Sequence, residues 1–214
     1  VNFLKGKKDI SRLAIVFGGR RPALFLQREL CRKIKRPFFP PKFFTMDEFV
    51  RYVVSQKNPS PSLSALDACF MIYNLAREIA PSVIEGREHF AQFLPWAREI
   101  ISFIEQLDLE DVPQESLRGI QGKAGIGYDV PDSINALLKS IIALRAAFHE
   151  KVREAKLYSR GLLYAQAAQC IEQIPFEEFD YILFCGFFYL HKTELRIVDH
   201  LYRSQKAMLF FQGR

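Results

Sequence analysis

The sequence has few cysteines and histidines, a single tryptophan and no long apolar run. Its 214 residues include four Cys, four His and one Trp. No apolar stretch approaches the roughly 20 residues that a membrane-spanning helix needs, so we expect no membrane partner. Three lysines lie in Val1–Lys8, but no apolar segment follows, so we do not expect a secretory signal there. Because the sequence lacks an initiator Met and stops just after an apolar run, we expect it to be a piece of a longer chain.

The spacing of the four cysteines does not suggest a zinc site. They are Cys31, Cys69, Cys170 and Cys185, with no CxxC pair and no histidine at metal-ligand spacing. This pattern indicates four reduced thiols, no bound metal and a cytoplasmic protein.

Motifs for hydrolytic chemistry are missing as well. There is no GxSxG segment, and no histidine lies at metal-ligand spacing from another His or a Cys, so we expect the histidines on the surface or at helix caps. An acidic cluster, Asp108, Glu110 and Asp111, has no visible base or metal partner and is expected to be a solvated loop.

The segment Leu13–Leu30, LAIVFGGRRPALFLQREL, has the outline of a nucleotide-binding turn without its chemistry. A phosphate loop needs GxxxxGK[ST], with the Lys on the phosphates and the hydroxyl on magnesium. Here Gly18-Gly19 is followed by two arginines, and Gly186 and Phe187 stand where a Walker B strand would end in acids. A second glycine-rich loop, Gly122–Gly127, follows a helical pattern rather than a strand. We therefore expect no catalytic residue and no cofactor in this piece, with ATP and Mg²⁺ confined to a larger complex.

The apolar patterns predict strands near both ends of the chain. Leu13–Phe17 is an uninterrupted apolar run typical of a buried parallel strand, and a helix is predicted to start at Pro22. Lys42–Thr45 predicts a second strand, after which Thr45 and Glu48 have the spacing of a capping box. Near the other end, the prediction is a strand, a helix and a strand: Tyr181–Cys185, His191–Arg203 and Lys206–Phe211.

Between these strands, residues 62–174 show apolar residues at three- and four-residue steps, which indicates helices. We therefore predict one discontinuous α/β domain, residues 1–57 and 175–214, with a helical insertion at 58–174.

Positive charge is concentrated near the start of the chain. Residues 1–43 contain twelve Lys and Arg against two acids, whereas the other residues contain 18 bases and 22 acids. A basic segment on an acidic body fits a polyanionic partner. It equally fits a solvated basic face, or a face paired with acidic parts of a longer chain.

Arg20 and Arg21 are the strongest candidates for binding an anion. They lie where a predicted strand ends and a helix begins, the edge at which open α/β sheets bind ligands. The helix dipole and the forked guanidinium groups both favour phosphate there. The alternative is that one or both pair with an acid inside the fold.

Four stretches, in this order, resemble the N-terminal part of AddB-type proteins, the B subunits of AddAB helicase–nucleases and their single-chain relatives. They are IVFGGRRPALFLQREL, PPKFFTMDEFVRYV, FAQFLPWAREIISFIEQLD and FDYILFCGFFYLHKTELRIVDHLYRSQKAMLFF. They are similar, respectively, to the family's strand, Arg-Arg turn and helix, to its P-x-I-x-T-x-x-E segment, to its helical insertion and to its decayed motif II. Gly18-Gly19 departs from the family's usual Pro-x before the two arginines.

The resemblance implies a degenerate RecA-like, P-loop NTPase-like parallel-sheet core of an inactivated, UvrD-like superfamily 1 helicase, with an inserted, mostly helical subdomain. The opening segment would then be the motif Ia region, which touches the backbone of a single strand. The DNA-binding residues expected on this basis are Arg20, Arg21, Gly19 and Thr45. The resemblance places the true phosphate loop at or before residue 1 and a PD-(D/E)XK nuclease domain after residue 214.

The expected function is that of a DNA-binding and scaffolding module, without ATPase activity of its own, in an ATP-dependent helicase–nuclease of double-strand break repair and recombination. The whole protein would be a helicase and exonuclease subunit, a hydrolase. Its expected partners are single-stranded or double-stranded DNA and an AddA-like helicase subunit. Two alternatives stay open: a module that docks a catalytic helicase partner, or an active ATPase whose phosphate loop precedes residue 1.

Overall fold

The computed structural model describes residues 9–117 and 132–211. The chain divides into two compact units, one formed by the described residues of Val1–Asn58 and Gln166–Arg214, the other by those of Pro59–Ala165.

The sequence predicts that the helical insertion ends at residue 174. Residues 166–174 belong with the sheet instead, where the 3₁₀ turn Ile171–Gln173 contacts the helix Lys192–Arg203. The predicted loop Gly122–Gly127 and the lysines of Val1–Lys8 lie outside the described residues.

The first unit is built on a four-stranded, all-parallel sheet. Its strands and helices, in chain order, are β1 (Leu13–Phe17), α1 (Arg20–Ile34), β2 (Lys42–Thr45), α2 (Met46–Ser55), β3 (Tyr181–Cys185), α7 (Lys192–Arg203) and β4 (Ala207–Phe210). The strand order is β2-β1-β3-β4, with β1 in the interior and fully buried. The predicted α/β class with a parallel sheet is confirmed, and the fold is α/β.

Alternate residues of the strands pack on opposite faces of this sheet, as the two-residue period of a strand requires. One face carries Leu13, Ile15 and Leu183, which form a core with Leu30 of α1. On the other face, Phe49 of α2 lies edge-on to the Phe184 ring, with the ring centroids 5.6 Å apart. Because both faces of β1 are covered, its uninterrupted apolar sequence is the one that such a strand needs.

The second unit is helical in its described residues. Its helices include α3 (Ala65–Ile79), α4 (Phe90–Leu109), α5 (Asp132–Glu154) and the first half of α6 (Arg160–Cys170), with a 3₁₀ turn at Pro81–Val83. An apolar core joins α3, α4 and α5, with Ile72, Phe93, Ile104 and Phe148 fully buried. The helical pattern predicted for the middle of the chain is confirmed for this part of it.

The expectation of a solvated loop at Asp108 is wrong. Asp108 lies in the last turn of α4 and is only 4% exposed. One carboxylate oxygen accepts hydrogen bonds from Nε and Nη2 of Arg145, at 2.9 and 2.8 Å, and the other lies 2.9 Å from Nε2 of His149. His149 is therefore part of a polar network, rather than the surface or capping histidine we expected. A carboxylate can be buried in this way because its partners replace the lost water.

Gly161 allows the backbone of α6 to approach this network. A Cβ atom at position 161 would lie 2.4 Å from Cβ and 2.6 Å from Oδ2 of Asp108, closer than real Cβ contacts allow. The glycine is therefore required by the buried carboxylate.

We predict that Gly161→Ala destabilises the protein by roughly 2 kcal/mol or more, because overpacking here displaces a buried, hydrogen-bonded carboxylate. Gly18→Ala is the matched control: its added Cβ would meet only Phe187, at an ordinary 3.9 Å. Urea unfolding followed by circular dichroism measures both changes. Equal midpoints for the two variants would show that the backbone at position 161 can move away at little cost.

Candidate nucleic-acid interface

Three strand ends lie side by side at the carboxyl edge of the sheet. Phe17, the last residue of β1, pairs with Thr45 at the end of β2 and with Cys185 at the end of β3. The connection from β1 leads to β2, whereas that from β3 leads to β4 on the opposite side. Ligands of open parallel sheets bind where such connections diverge. The segments after β1 and β3 therefore form the candidate site.

Arg20 and Arg21 form the first turn of α1. The helix begins at Arg20, two residues before the predicted start at Pro22. Gly19 is its N-cap in an extended conformation (φ −159°, ψ 173°) and supplies no side-chain hydrogen bond. The first N–H groups of a helix lack partners within the helix, and the helix dipole is positive there. An anion at this end would meet backbone donors as well as guanidinium groups.

Arg20 is bound by an acid from the neighbouring strand connection. Its Nη2 donates to Oε1 of Glu48 at 2.8 Å, although 82% of the Arg20 side chain is exposed. The alternative of an arginine paired within the fold thus applies to Arg20. At such exposure the pair contributes little stability, on the order of 0–1 kcal/mol, and the guanidinium keeps other donors available.

Thr45 starts helix α2 through the predicted capping box. The Glu48 N–H donates to the Thr45 hydroxyl at 3.2 Å, and the Thr45 N–H donates to Oε2 of Glu48 at 2.8 Å. The two oxygens of Glu48 therefore have different partners, one in the cap and one on Arg20. These bonds, first the one from the Thr45 backbone, hold the pKa of Glu48 below its usual value.

Arg21 is exposed and has no carboxylate partner among residues 9–117 and 132–211. It begins a line of residues at helical spacing along α1 that continues through Phe25, Arg28 and Arg32. Arg32 pairs with Glu29 at 2.9 Å, whereas Arg28, like Arg21, has no acid partner in the described part of the chain. Arg21 and Arg28 lie about 10 Å apart along the helix, at its rise of 1.5 Å per residue.

The basic segment is only partly neutralised by the fold. Arg12 pairs with Asp180, and the Lys42 ammonium lies over the Phe44, Tyr52 and Phe179 rings. Five further bases lack a carboxylate partner within the described residues: Arg21, Arg28, Lys33, Lys35 and Arg36. All five lie on α1 or directly after it, so this stretch carries most of the uncompensated charge in the described part of residues 1–43.

The segment after β3 places aromatic side chains at the same edge. Gly186 turns the chain with φ +74°, and the half-buried Phe187 ring packs on Phe184 with a centroid distance of 6.2 Å. Beyond it, Phe188 is 86% and Tyr189 66% exposed. Neither ring is among the site residues predicted from the sequence, because a Walker B motif calls for acids at this position. The run Phe187-Phe188-Tyr189 directly after a strand was the signal that could have found them.

These strand ends do not fit a magnesium-bound triphosphate. The turn after β1 supplies arginines rather than a Lys followed by Ser or Thr, and the turn after β3 supplies no acid. Within residues 9–117 and 132–211, no three His, Cys, Asp or Glu side chains are grouped so that they could hold a metal ion. All four cysteines are free thiols, and burial raises the pKa of Cys185, at the end of β3, to about 11.

The chain is thus an α/β protein with a basic and aromatic surface at the carboxyl edge of its sheet. This surface lies where the connections after β1 and β3 lead to opposite sides. No protein-family model matches the chain, and no curated protein sequence is significantly similar to it. Among the helices of the described ranges, none has both the length and the apolar character needed to cross a membrane.

We predict that the stability of the first unit falls in acid as Glu48 becomes protonated. A carboxylate whose pKa is lowered by folding stabilises the protein above its unfolded pKa, and that stability is lost as the pH falls through the folded value. Glu48→Gln keeps the cap acceptor but cannot titrate, so its stability should change less between about pH 5 and pH 3. Urea midpoints at a series of pH values test this. Parallel pH profiles for the two proteins would contradict it.

Proposed function

We propose that this chain is a DNA-binding and scaffolding module with a degenerate RecA-like core, part of an ATP-dependent helicase–nuclease that acts in double-strand break repair and recombination. The observation that carries the proposal is the exposed Arg21 in the first turn of α1, which has no carboxylate partner in the described part of the chain and lies at the carboxyl edge of a parallel sheet. The resemblance to AddB-type proteins supports the larger context, including an AddA-like helicase subunit as partner.

DNA is bound through its phosphates on this proposal. Arg21 and the helix N-terminus take one phosphate, and Arg28, two turns further along α1, takes another. Each such contact releases counterions from the nucleic acid, so binding is favoured by entropy and weakens as salt is added. Phosphate contacts of this kind fix the position of the strand and are independent of its base sequence.

The module works without ATP turnover of its own. Gly18-Gly19-Arg20-Arg21 has no lysine to reach a γ-phosphate, and Gly186-Phe187 has no carboxylate to hold magnesium or orient a water. The proposal of a RecA-like core is supported by the all-parallel sheet, in which the connections after β1 and β3 lead to opposite sides. Its role is to hold the strand while a catalytic partner moves or cuts it.

A docking module for a catalytic partner is the second candidate function. Leu24 and Phe25 of α1 are 66% and 68% exposed among the bases of the same helix. Phosphate binding does not require these two apolar side chains, whereas a protein interface would bury them.

Size-exclusion chromatography with the helicase subunit, with and without DNA, distinguishes the two functions when wild type is compared with the variant Leu24→Ala with Phe25→Ala. Loss of the complex in that variant without loss of DNA binding would identify docking as the role of this face.

We predict that Arg21→Ala with Arg28→Ala weakens binding to a single-stranded oligonucleotide and makes it less salt-dependent. Losing two phosphate contacts should reduce the slope of log affinity against log salt by about 1.4. Fluorescence anisotropy at a series of salt concentrations measures both quantities.

The control is Arg203→Ala with Lys206→Ala, which removes the same charge at the end of α7 and before β4, the amino edge of the sheet. If wild type and the variant lacking Arg21 and Arg28 have the same slope of log affinity against log salt, these two residues do not contact DNA.

We predict that Glu48→Gln strengthens DNA binding. The change keeps the cap acceptor of α2 and removes the carboxylate that holds Arg20. Freeing one guanidinium beside a bound phosphate should increase affinity by roughly two- to fivefold, the equivalent of an exposed ion pair of 0.5–1 kcal/mol. The same anisotropy assay measures it. Unchanged affinity would place the bound strand away from Arg20.

A further inference from the structure

Phe188 and Tyr189 are large rings that are mostly exposed. Phe188 is 86% and Tyr189 66% exposed, although both belong to the short connection between the buried strand β3 and helix α7. A Phe side chain left in water forgoes the favourable burial of its apolar surface. Two such rings in succession point to a ligand that covers them.

The connection that carries these rings is fixed at both ends. Before them, the Phe187 ring packs on Phe184 beneath the turn. After them, His191 caps α7 by donating its N–H to Glu194 at 2.8 Å, and its ring meets the Tyr189 ring edge-on, with the centroids 5.1 Å apart. The exposed rings are thus held on a short segment between two anchored residues, which lowers the entropy cost of binding.

The rings lie beside the basic start of α1. Phe17 and Cys185 are paired across β1 and β3, so the segments after these two strands leave the sheet next to each other. A Cβ on Gly18 would lie 3.9 Å from the Phe187 ring, which shows how close the two connections come. Arg20 and Arg21 follow Gly18 on one side, as Phe188 and Tyr189 follow Phe187 on the other.

We propose that Phe188 and Tyr189 are a stacking platform for the unpaired bases of a single strand whose phosphates are bound at the start of α1. This inference rests on the proposed function and narrows its ligand from DNA in general to single strands. A nucleic-acid strand is the occupant because it offers both features that this edge complements: negative charge for the arginines and flat apolar faces for the rings. In a duplex the bases stack on each other, so the platform discriminates against it.

The test compares two oligomers of equal length and charge, oligothymidylate and an abasic strand, by fluorescence anisotropy with the full 214-residue chain. Wild type should bind oligothymidylate more tightly. Phe188→Ala with Tyr189→Ala should lower that affinity tenfold or more, while affinity for the abasic strand and the salt slope stay within experimental error. Phe188→Trp with Tyr189→Phe keeps both π-faces and should bind oligothymidylate as wild type does.

Phe39→Ala is the matched control. Phe39 is 81% exposed and lies shortly before β2, at the amino edge of the same sheet. It should leave both affinities unchanged. Circular dichroism confirms folding of every variant, which is expected because the substituted rings are exposed. A strand containing 2-aminopurine adds a direct measurement, since its fluorescence should fall on binding to wild type and recover in the double alanine variant.

The outcomes separate this inference from the proposed function. If wild type binds both oligomers equally and the double alanine variant binds as wild type does, DNA binding stands and the stacking platform is overturned. If wild type binds neither oligomer, the proposed function fails and the platform fails with it. If the variant instead loses only self-association or association with a protein partner, the rings belong to a protein interface and the platform is overturned.

Discussion

The parallel pairing of β1 with β3 is the constraint on which the candidate interface depends. These strands come from opposite ends of the chain, and their register sets Phe17 against Cys185. Because parallel strands end at the same edge, the pairing brings the turn before α1 next to the turn before α7. Neither segment forms a site alone: one supplies guanidinium groups and helix donors, the other supplies rings. Burial of β1 on both faces fixes the register, since a slip of one residue would exchange the side chains of the two faces.

Much of this architecture could be predicted from sequence because it depends on local, periodic signals. The apolar run Leu13–Phe17, the capping box at Thr45 and the strand Tyr181–Cys185 are patterns whose meaning does not depend on the rest of the fold, and the structure confirms all three. The start of α1 was misplaced by two residues, because Pro22 is compatible with the first turn as well as with the first position of a helix.

The parts that could not be predicted depend on contacts between distant residues. The burial of Asp108 cannot be predicted from the sequence, because its partners, Arg145 and His149, lie on another helix and nothing in the spacing of the sequence pairs them with it. The ion pair of Arg20 with Glu48 likewise joins two elements whose adjacency follows from the order of the strands. The exposure of Phe188 and Tyr189 depends on which other segments pack near them, and that is decided by the tertiary structure. A pattern of apolar residues predicts which side chains can be buried, and the tertiary structure decides which of them are.

The division of Glu48 between two partners has a consequence for the proposed binding of phosphate at Arg20. Oε1 holds Arg20 while Oε2 holds the first N–H of the α2 cap. A phosphate that displaces Oε1 from the guanidinium leaves the other oxygen in place, so α2 keeps its first turn. In the proposed DNA-binding function, the carboxylate would then act as an internal substitute for the phosphate and would pair with Arg20 again when the phosphate leaves. Exchange at this position would require a side-chain movement and no change in the backbone of α2.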